Sequence, residues 1–451
     1  MAKTKKANDL KSVILYGVIC LVLVAFLVTL AIGALNEQSS LIKDPVFLDA
    51  MVQYFDKSPR KITQEDLDSI AYLSFDGANQ ISLGDAKAIT ALEEEEDVTS
   101  NLTAVSISGD FKDFKADLAL LGGLKYLDFI GDTDAIASAA DIEGATGLEY
   151  LMLDKAELSS VKELGALTAL KVLGLEFVKI DDASFLSELT ALEDVNLSET
   201  GIKDLSVLSG AKDLNMLVAD QNEIADVSAL ASLTNLETLS LAGNQVADVS
   251  SLASLTKLTT LILDDNKITS VDGFQNLTAL TSLSLSKNEI ADLSVLDGKL
   301  TALTDLSINE NKLTSLAGID GTALTTLSAT NNEITDLIGT ENLKKLTSLY
   351  LSGNKIVSVA PLKDLSELKT LDLAENEITA VSPLVGLKNL DNLYLTGNEV
   401  SDLSTLDALK DDGCSISADA VAEKEEEKKE ETESTETAEP ETQETATTEA
   451  E

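Results

Sequence analysis

The sequence has no histidine and no tryptophan, and only two cysteines among its 451 residues. Without histidine, the chain lacks the commonest general base and the commonest zinc ligand of proteins. Cys20 lies in an apolar run and Cys414 lies near the end of a repeat region, so we expect no internal disulfide and a buried core thiol at Cys414. These absences favour a protein that is not an enzyme and has no metal site or cofactor.

Positive charge is also scarce. Lysine and arginine together number 33, against 78 aspartates and glutamates, which gives a formal net charge of −45. A chain of this sign is repelled by the phosphate backbone of nucleic acids. The composition therefore disfavours a nucleic-acid partner.

The sequence does contain a repeat, first evident in LETLSLAGNQV at residues 236–246. The pattern L-x-x-L-x-L-x-x-N-x-[I/V] returns with a usual period of 22 residues, for example at 258–268, 280–290 and 346–356. Side chains alternate along a strand, so Leu239 and Leu241 lie on one face and Ser240 on the other. A strand of about three residues cannot bury its apolar face alone, whereas stacked coils can. The pattern predicts a solenoid with one parallel sheet and short helical turns on the opposite side.

Asparagine follows each strand at the turn that the solenoid must bury. Its carboxamide both donates and accepts, so it can satisfy backbone groups of neighbouring turns. We predict one ladder of such residues: Asn222, Asn244, Asn266, Asn288, Asn311, Asn332, Asn354, Asn376 and Asn398. Earlier turns have Thr200, Val178, Ala156 and Asp132 at this position, and we expect looser turns at Val178 and Ala156 because their side chains cannot make these hydrogen bonds.

Composition divides the chain into five segments. Residues 1–12 are basic, and residues 13–35 carry no charge and would span roughly 34 Å as a helix, enough for a bilayer core. We expect a single-pass signal anchor with a cytoplasmic N-terminus, or alternatively a cleaved signal and a secreted protein. Residues 41–69 predict a helical cap, residues 70–420 the repeat domain, and residues 421–451, with thirteen glutamates, a disordered acidic tail.

Local signals place the cap and the first strands. Asp44 before Pro45 predicts a helix start, and Thr63 with Asp66 predicts a capping box for a second short helix. Ile70-x-x-Leu73-x-Phe75 predicts the first strand, and the spacing that begins at Leu102 resumes the rhythm. About fifteen coils fit the chain, ending in a partial strand at 414–416.

The repeats from about Leu102 to Val400 resemble the 22-residue class of leucine-rich repeats, and most of all the internalin-type surface proteins of Gram-positive bacteria. The cap resembles theirs in 44–48 and 62–67. The resemblance implies an α/β leucine-rich-repeat solenoid, displayed outside the cell, that binds protein on its concave face without catalysis. The chain departs from that family in having no sorting signal and no following immunoglobulin-like domain, so host-cell adhesion is not implied.

The outward strand positions predict an acidic concave face. From Tyr72 to Thr396 they contain no lysine or arginine, and they contain Asp76, Asp128, Asp154, Glu176, Asp194, Asp220, Asp264, Asp305 and Asp372. Two aromatic–acidic groups are candidate sites for a protein or another basic surface ligand. The first consists of Tyr126, Asp128, Tyr150, Met152 and Asp154, and the second of Tyr350, Asp372 and Tyr394.

Two alternatives stay open. Tyrosines on a sheet also pair with their neighbours for structural reasons alone. A face made mainly of serine and threonine would indicate a cell-surface spacer without a specific ligand, whereas a focused aromatic–acidic patch would indicate recognition. Paired carboxylates without a ligand-rich loop are usually solvated, so we expect no calcium site.

Overall fold

The structure is a computed structural model and describes residues 41–76, 80–93, 101–106, 114–130, 136–319 and 322–419. The predicted anchor at 13–35 and the predicted acidic tail at 421–451 lie outside these residues. In the part of the chain that is described, no helix combines the length and the apolar character needed to cross a bilayer.

One sheet runs through the described residues and contains seventeen strands. Their bounds are β1 Tyr72–Asp76, β2 Gln80–Gly84, β3 Leu102–Ser106, β4 Tyr126–Ile130, β5 Tyr150–Met152, β6 Val172–Gly174, β7 Asp194–Asn196, β8 Met216–Val218, β9 Thr238–Ser240, β10 Thr260–Ile262, β11 Ser282–Ser284, β12 Asp305–Ser307, β13 Thr326–Ser328, β14 Ser348–Tyr350, β15 Thr370–Asp372, β16 Asn392–Tyr394 and β17 Ser415–Ser417. Strands β4 to β17 pair in parallel, each with the next along the chain, and β1 pairs in parallel with β4. The predicted solenoid, its first strand and its terminal strand are confirmed.

The helices are short. They are α1 Pro45–Phe55, α2 Gln64–Asp68, α3 Ala86–Glu93, α4 Phe114–Leu118 and α5 Asp407–Asp411. The turns opposite the sheet form single 3-10 segments: Ala139–Asp141, Lys162–Ala166, Ser184–Glu188, Ser206–Leu208, Ser228–Ser232, Ser250–Ser254, Phe274–Asn276, Ser294–Leu296, Ala360–Asp364, Ser382–Gly386 and Ser404–Leu406. A further 3-10 segment, Pro59–Lys61, lies between α1 and α2. So few residues separate strand from strand that only one tight turn fits, as predicted.

The cap begins as its sequence signals predict. Asp44 accepts hydrogen bonds from the backbone N–H groups of Val46 and Phe47 at 2.9 and 3.0 Å, and Thr63 and Asp66 form a reciprocal capping box. Buried Asp117 on α4 accepts hydrogen bonds from the N–H groups of Lys43 and Asp44. The start of α1 is thereby fixed to the segment that leads into β4.

The expectation that the strand at Leu102 continues the solenoid is wrong. β3 pairs antiparallel with β2, and β2 pairs antiparallel with β1, so both strands extend the N-terminal edge of the sheet. The next solenoid coil after β1 is β4. The spacing at Leu102 fits the repeat because any half-buried strand alternates in this way, and alternation does not specify the direction of pairing.

Helix α3 belongs to the same insertion and lies against the outward side of β1. Its residues Ala88, Ile89 and Leu92 pack in a small buried cluster with Tyr72, which is 2% exposed. The N-terminal end of the outward face is therefore covered by protein.

The core is a single column of inward strand residues and turn residues. Leu239, Leu261 and Leu283 are successive examples, paired in register and almost completely buried. Near the cap, Phe75 stacks on Phe129 with ring centroids 4.5 Å apart. Cys414 is also buried in this core, at 6% exposure, as predicted.

The predicted asparagine ladder is confirmed. Nδ2 of Asn266 donates to the carbonyl oxygens of Leu241 in the preceding coil (2.8 Å) and of Leu263 in its own coil (3.1 Å). Its Oδ1 accepts from the N–H of Val246 at 2.9 Å. The other asparagines of the ladder, from Asn222 to Asn398, make the same bonds. In each, Nδ2 donates to a carbonyl oxygen of the preceding coil, and Oδ1 accepts from a backbone N–H of the preceding coil.

Loosening of the earlier turns is not observed. The N–H groups of Val178 and Ala156 themselves donate to the carbonyl oxygens of Leu175 and Leu153, at 2.9 and 3.0 Å. Thr200 uses its hydroxyl for the equivalent bond, to Leu197 at 2.8 Å. In these turns a backbone N–H therefore donates to the carbonyl oxygen that the asparagine side chain bonds in the later coils. Asp132 lies outside the described residues.

The ladder gives a stability prediction. Replacing Asn266 by alanine leaves three backbone groups without their partner, so the free energy of unfolding should fall by about 1–3 kcal/mol. Asn235→Ala serves as the control, because Asn235 is only partly buried, donates to the Lys212 carbonyl and accepts from the Lys257 ammonium, and so takes no part in the ladder. Urea unfolding followed by circular dichroism measures both variants. Equal midpoints for wild type and Asn266→Ala would contradict the ladder.

Candidate functional site

The outward positions of the sheet form three columns, which together we call the open face. The first column precedes the first strand leucine, the central column lies between the two leucines, and the third column follows the second. In the described strands β4 to β17 these positions contain no lysine or arginine. The open face is the counterpart of the predicted concave face.

The third column has a structural role that sequence analysis missed. Asp154 Oδ1 accepts from the N–H of Glu176 at 2.8 Å, and Asp220 Oδ1 accepts from the N–H of Ala242 at 2.7 Å. Asn309 does the same for Thr330 at 2.8 Å. In each case a third-column side chain satisfies a backbone donor of the following coil. Several of the predicted acidic residues are therefore parts of the scaffold as well as sources of negative charge.

The structure divides the first predicted aromatic–acidic group. Tyr126 stacks on Tyr72 with ring centroids 4.2 Å apart, and its hydroxyl donates to Asp128, which is 7% exposed. Burial, followed by the charge of Asp128, raises the pKa of the Tyr72 hydroxyl to about 12. Tyr126 thus packs against the cluster that α3 forms with Tyr72, and Asp128 is a buried acceptor for the Tyr126 hydroxyl. Tyr150, Met152 and Asp154 lie further along the sheet, where the face is open.

A pocket of about 180 Å³ lies beside Met152 and Asp154, on strands β5 to β8. Its lining is Met152, Asp154, Val172, Leu173, Gly174, Glu176, Asp194, Val195, Asn196, Met216 and Val218. We call it the Gly174 pocket, because Gly174 leaves the central column without a side chain there. Apolar side chains form its walls, and carboxylates lie along its rim.

Asp154 has a perturbed carboxyl group at the rim. Burial raises its pKa to about 6, and the charge of Glu176 acts in the same direction, while the hydrogen bond from the Glu176 N–H and the charge of Lys155 oppose the shift. Burial also raises the pKa of Asp220, two coils beyond Glu176. Perturbed carboxyl groups beside a cavity are common at functional sites.

An exposed aromatic residue follows the pocket residue Glu176 in the sequence. Phe177 follows Glu176, is 43% exposed and has a left-handed backbone with φ of 63°. Lys155 Nζ lies 5.6 Å from its ring centroid. A bulky residue in this conformation is uncommon. The sequence feature that could have drawn attention to Phe177 is its neighbour Val178, which replaces the ladder asparagine in the same turn.

The second predicted group is brought together as expected from the register. Tyr350, Asp372 and Tyr394 occupy the central column of β14, β15 and β16 and pair directly. Tyr394 is 41% exposed, and Asp372 Oδ1 accepts from the N–H of Ala374 at 3.0 Å. The remaining predicted acidic residues also lie on the open face: Glu176, Asp194, Asp220, Asp264 and Asp305. The side chain of Asp76 lies outside the described part of the structure.

The pKa of Asp154 gives a prediction for stability. In the unfolded chain this carboxyl group ionises near its ordinary pKa, whereas in the folded protein it stays protonated up to about pH 6. Its contribution to stability is therefore present at low pH and is lost as pH rises through about 6. Asp154→Asn keeps an acceptor for the Glu176 N–H and should stabilise the protein, relative to wild type, by on the order of 1–3 kcal/mol more at about pH 7.5 than at about pH 3.5.

Urea unfolding at both pH values measures this difference. Asp248→Asn is the matched control, because hydrogen bonds from Ser250 lower the pKa of Asp248 and its effect should have the opposite sign. An Asp154→Asn effect that does not change with pH would show that this carboxyl group titrates normally in the folded protein.

Comparison with known proteins agrees with this architecture. The family model described as leucine-rich repeats (two copies) matches residues 212–254, 234–276, 256–298, 278–321 and 322–364, and a second leucine-rich-repeat model matches 344–400. A comparison with curated proteins gave no match.

Solved structures extend the similarity to the earlier coils. An internalin, InlF, from Listeria monocytogenes is 25% identical, with a TM-score of 0.63, and the match covers 86% of this chain and 99% of that one. A leucine-rich-repeat protein of Leptospira interrogans is 21% identical over 66% of this chain and 91% of its own, with a TM-score of 0.51. The functional domain of InlJ from Listeria monocytogenes is 19% identical over 78% and 80%, with a TM-score of 0.50. The last two likenesses concern the fold alone. The chain is therefore a leucine-rich-repeat protein of internalin-like architecture.

Proposed function

We propose that this chain is a non-enzymatic, extracellular protein-binding module that recognises a basic partner on its open face. The observation on which this depends is the Gly174 pocket, an apolar depression rimmed by Asp154, Glu176 and Asp194 on a face without cationic strand residues. Leucine-rich-repeat solenoids present such a face as an extended binding surface.

Charge supports the choice of a basic partner. Most acidic positions of the open face lie on β4 to β10, so their fields add over the half of the sheet that contains the pocket. Complementary charge accelerates encounter and excludes partners of the same sign. Of the lysines near this half, Lys125 and Lys171, at the strand starts, both pair with Glu149, and Lys155, after β5, lies over the ring of Phe177.

Chemistry supports a role in binding rather than in catalysis. The chain has no histidine, so a serine nucleophile would lack its usual base. Asp154 and Asp220 accept backbone hydrogen bonds, and the pocket is open to solvent on one side. Neither arrangement supplies a secluded acid–base pair of the kind that hydrolysis of a glycosidic bond requires.

The second aromatic–acidic group would provide a further contact. Tyr350, Asp372 and Tyr394 lie eight to ten strands beyond Gly174 in the same sheet, so a long partner could touch both. Tyrosine contributes large contact area and a polar hydroxyl at interfaces. The alternative function, a cell-surface spacer, is favoured by β11 to β13, where serine and threonine dominate the open face.

We also propose that the anchor at 13–35 holds the chain in the cell membrane with the repeats outside. Support comes from the uncharged run itself, the lysines that precede it and the similarity of the repeats to internalin InlF. A secreted form after cleavage is the alternative.

Binding is tested by proximity labelling on intact cells with a labelling enzyme fused to the C-terminus. Glu176→Gln with Asp194→Asn removes two rim charges without changing size, and recovery of the principal labelled surface protein should fall about tenfold, equivalent to about 1.4 kcal/mol. Tyr350→Ala with Asp372→Ala and Tyr394→Ala tests the second group in parallel.

The matched control is Glu289→Gln with Glu333→Gln, which removes the same charge from exposed turn residues that pair with Lys312 and Lys355. This control should label like wild type. If the rim variant and the second-group variant both label the wild-type set at wild-type levels, the open face is not the binding surface and the spacer function is favoured.

Topology is tested by adding protease to intact cells. An epitope tag after residue 419 should be removed, and a tag at the N-terminus should be protected, because only the segment before the anchor would be cytoplasmic. Protection of both tags would contradict display outside the cell, and release of the whole repeat domain into the medium would favour the secreted form.

A further inference from the structure

Gly174 lines the Gly174 pocket without contributing a side chain to the central column. Gly174 is not among the residues with positive φ, so its backbone conformation does not require glycine. A Cβ at this position would lie 2.5 Å from Sδ of Met152 and 3.0 Å from Oδ1 of Asp154. The glycine therefore accommodates the thioether of Met152 and the carboxylate of Asp154, which line the pocket, and any larger residue would displace these side chains and change the pocket.

The space matches one large apolar side chain. Its volume of about 180 Å³ is similar to the roughly 150 Å³ of an apolar cavity that binds benzene. Met152 and Met216 form opposite walls, with Val172 and Val218 beside them. Methionine is flexible and polarisable, so such walls adapt to aromatic and branched aliphatic groups alike.

The rim specifies what lies next to that side chain. Carboxylates of Asp154, Glu176 and Asp194 line the pocket, and its lining includes no cation. An acidic segment would bring like charges together, whereas lysine or arginine on either side of the apolar residue would pair with the rim.

We propose that the Gly174 pocket binds a single large apolar side chain of the partner protein, from a segment in which lysine or arginine flanks that residue. This inference rests on the proposed function and specifies its ligand. The pocket is the anchor point, and the rim carboxylates select the flanking residues.

The chain offers a direct probe of this pocket. It has four methionines, Met1, Met51, Met152 and Met216, of which the last two line the pocket and Met51 is buried in the cap. The full-length chain is kept in detergent, and its methionine methyl groups are labelled with ¹³C for NMR. A ring or charge that enters the pocket should then shift the methyl resonances of Met152 and Met216, two of the four. Single Met→Leu variants assign them.

The probes are acetylated, amidated tripeptides. Lys-Phe-Lys should shift the Met152 and Met216 methyl resonances in a saturable manner and leave Met51 unchanged. Lys-Ala-Lys lacks the apolar group and Glu-Phe-Glu reverses the charge, so each should require at least about tenfold higher concentration for the same shift. Gly174→Leu fills the pocket and should abolish the response, and Gly174→Ala should weaken it.

Ser307→Leu is the control, since it adds the same side chain to the central column at β12, away from the pocket. It should respond like wild type, and an unchanged Met51 resonance verifies that each variant is folded. The proposal is overturned if Lys-Phe-Lys leaves Met152 and Met216 unshifted, if Lys-Ala-Lys acts equally well, or if Gly174→Ala and Gly174→Leu both respond like wild type. Any of these results together with loss of labelling in the Glu176→Gln, Asp194→Asn variant would remove the pocket and leave recognition by the open face in place.

Discussion

Every coil of this solenoid must hydrogen-bond a neighbour at the point where its chain turns away from the sheet. The strands are three residues long over most of the sheet, so backbone pairing within them leaves the turn carbonyls and amides to be satisfied elsewhere. The ladder asparagines meet this requirement from one coil to the next. Because each bond spans two coils, the coils are stable as an array rather than singly.

The open face obeys the same constraint through its third column. Asp154, Asp220 and Asn309 each accept from the following coil, so part of the chemistry on this face is already committed to the fold. Recognition of a partner is then favoured in the coils whose residues depart from the repeat pattern. Ala156 and Val178 replace asparagine, Gly174 empties the central column and Phe177 is exposed, all within two consecutive coils. Concentration of irregularities at one place is typical of a functional site.

The sequence was sufficient to predict most of the fold, since leucine period, asparagine spacing and capping residues each determine a local contact. The register that aligns Tyr350, Asp372 and Tyr394 follows from the same period. The antiparallel insertion was not predictable, because Leu102 and its neighbours alternate like a solenoid strand whichever way they pair. The pocket was not predictable from the repeat motif, because a motif is defined by the side chains that recur in it, and Gly174 contributes no side chain. Likewise, the packing roles of Tyr126 and of buried Asp128 could not be predicted, because they depend on how Tyr72 and the cluster with α3 lie against Tyr126.

Helix α3 also makes the two ends of the open face unequal. It closes the sheet over β1, only a few strands before the pocket on β5 to β8, while the sheet continues to β17 on the other side. At about 4.8 Å per strand, a partner anchored at Gly174 on β6 has little room toward the cap and roughly 50 Å toward the last coil at β17. An elongated ligand would therefore place its anchor residue close to one of its ends. That end would face the cap, and the rest of the ligand would extend along the sheet toward Tyr350 and Tyr394.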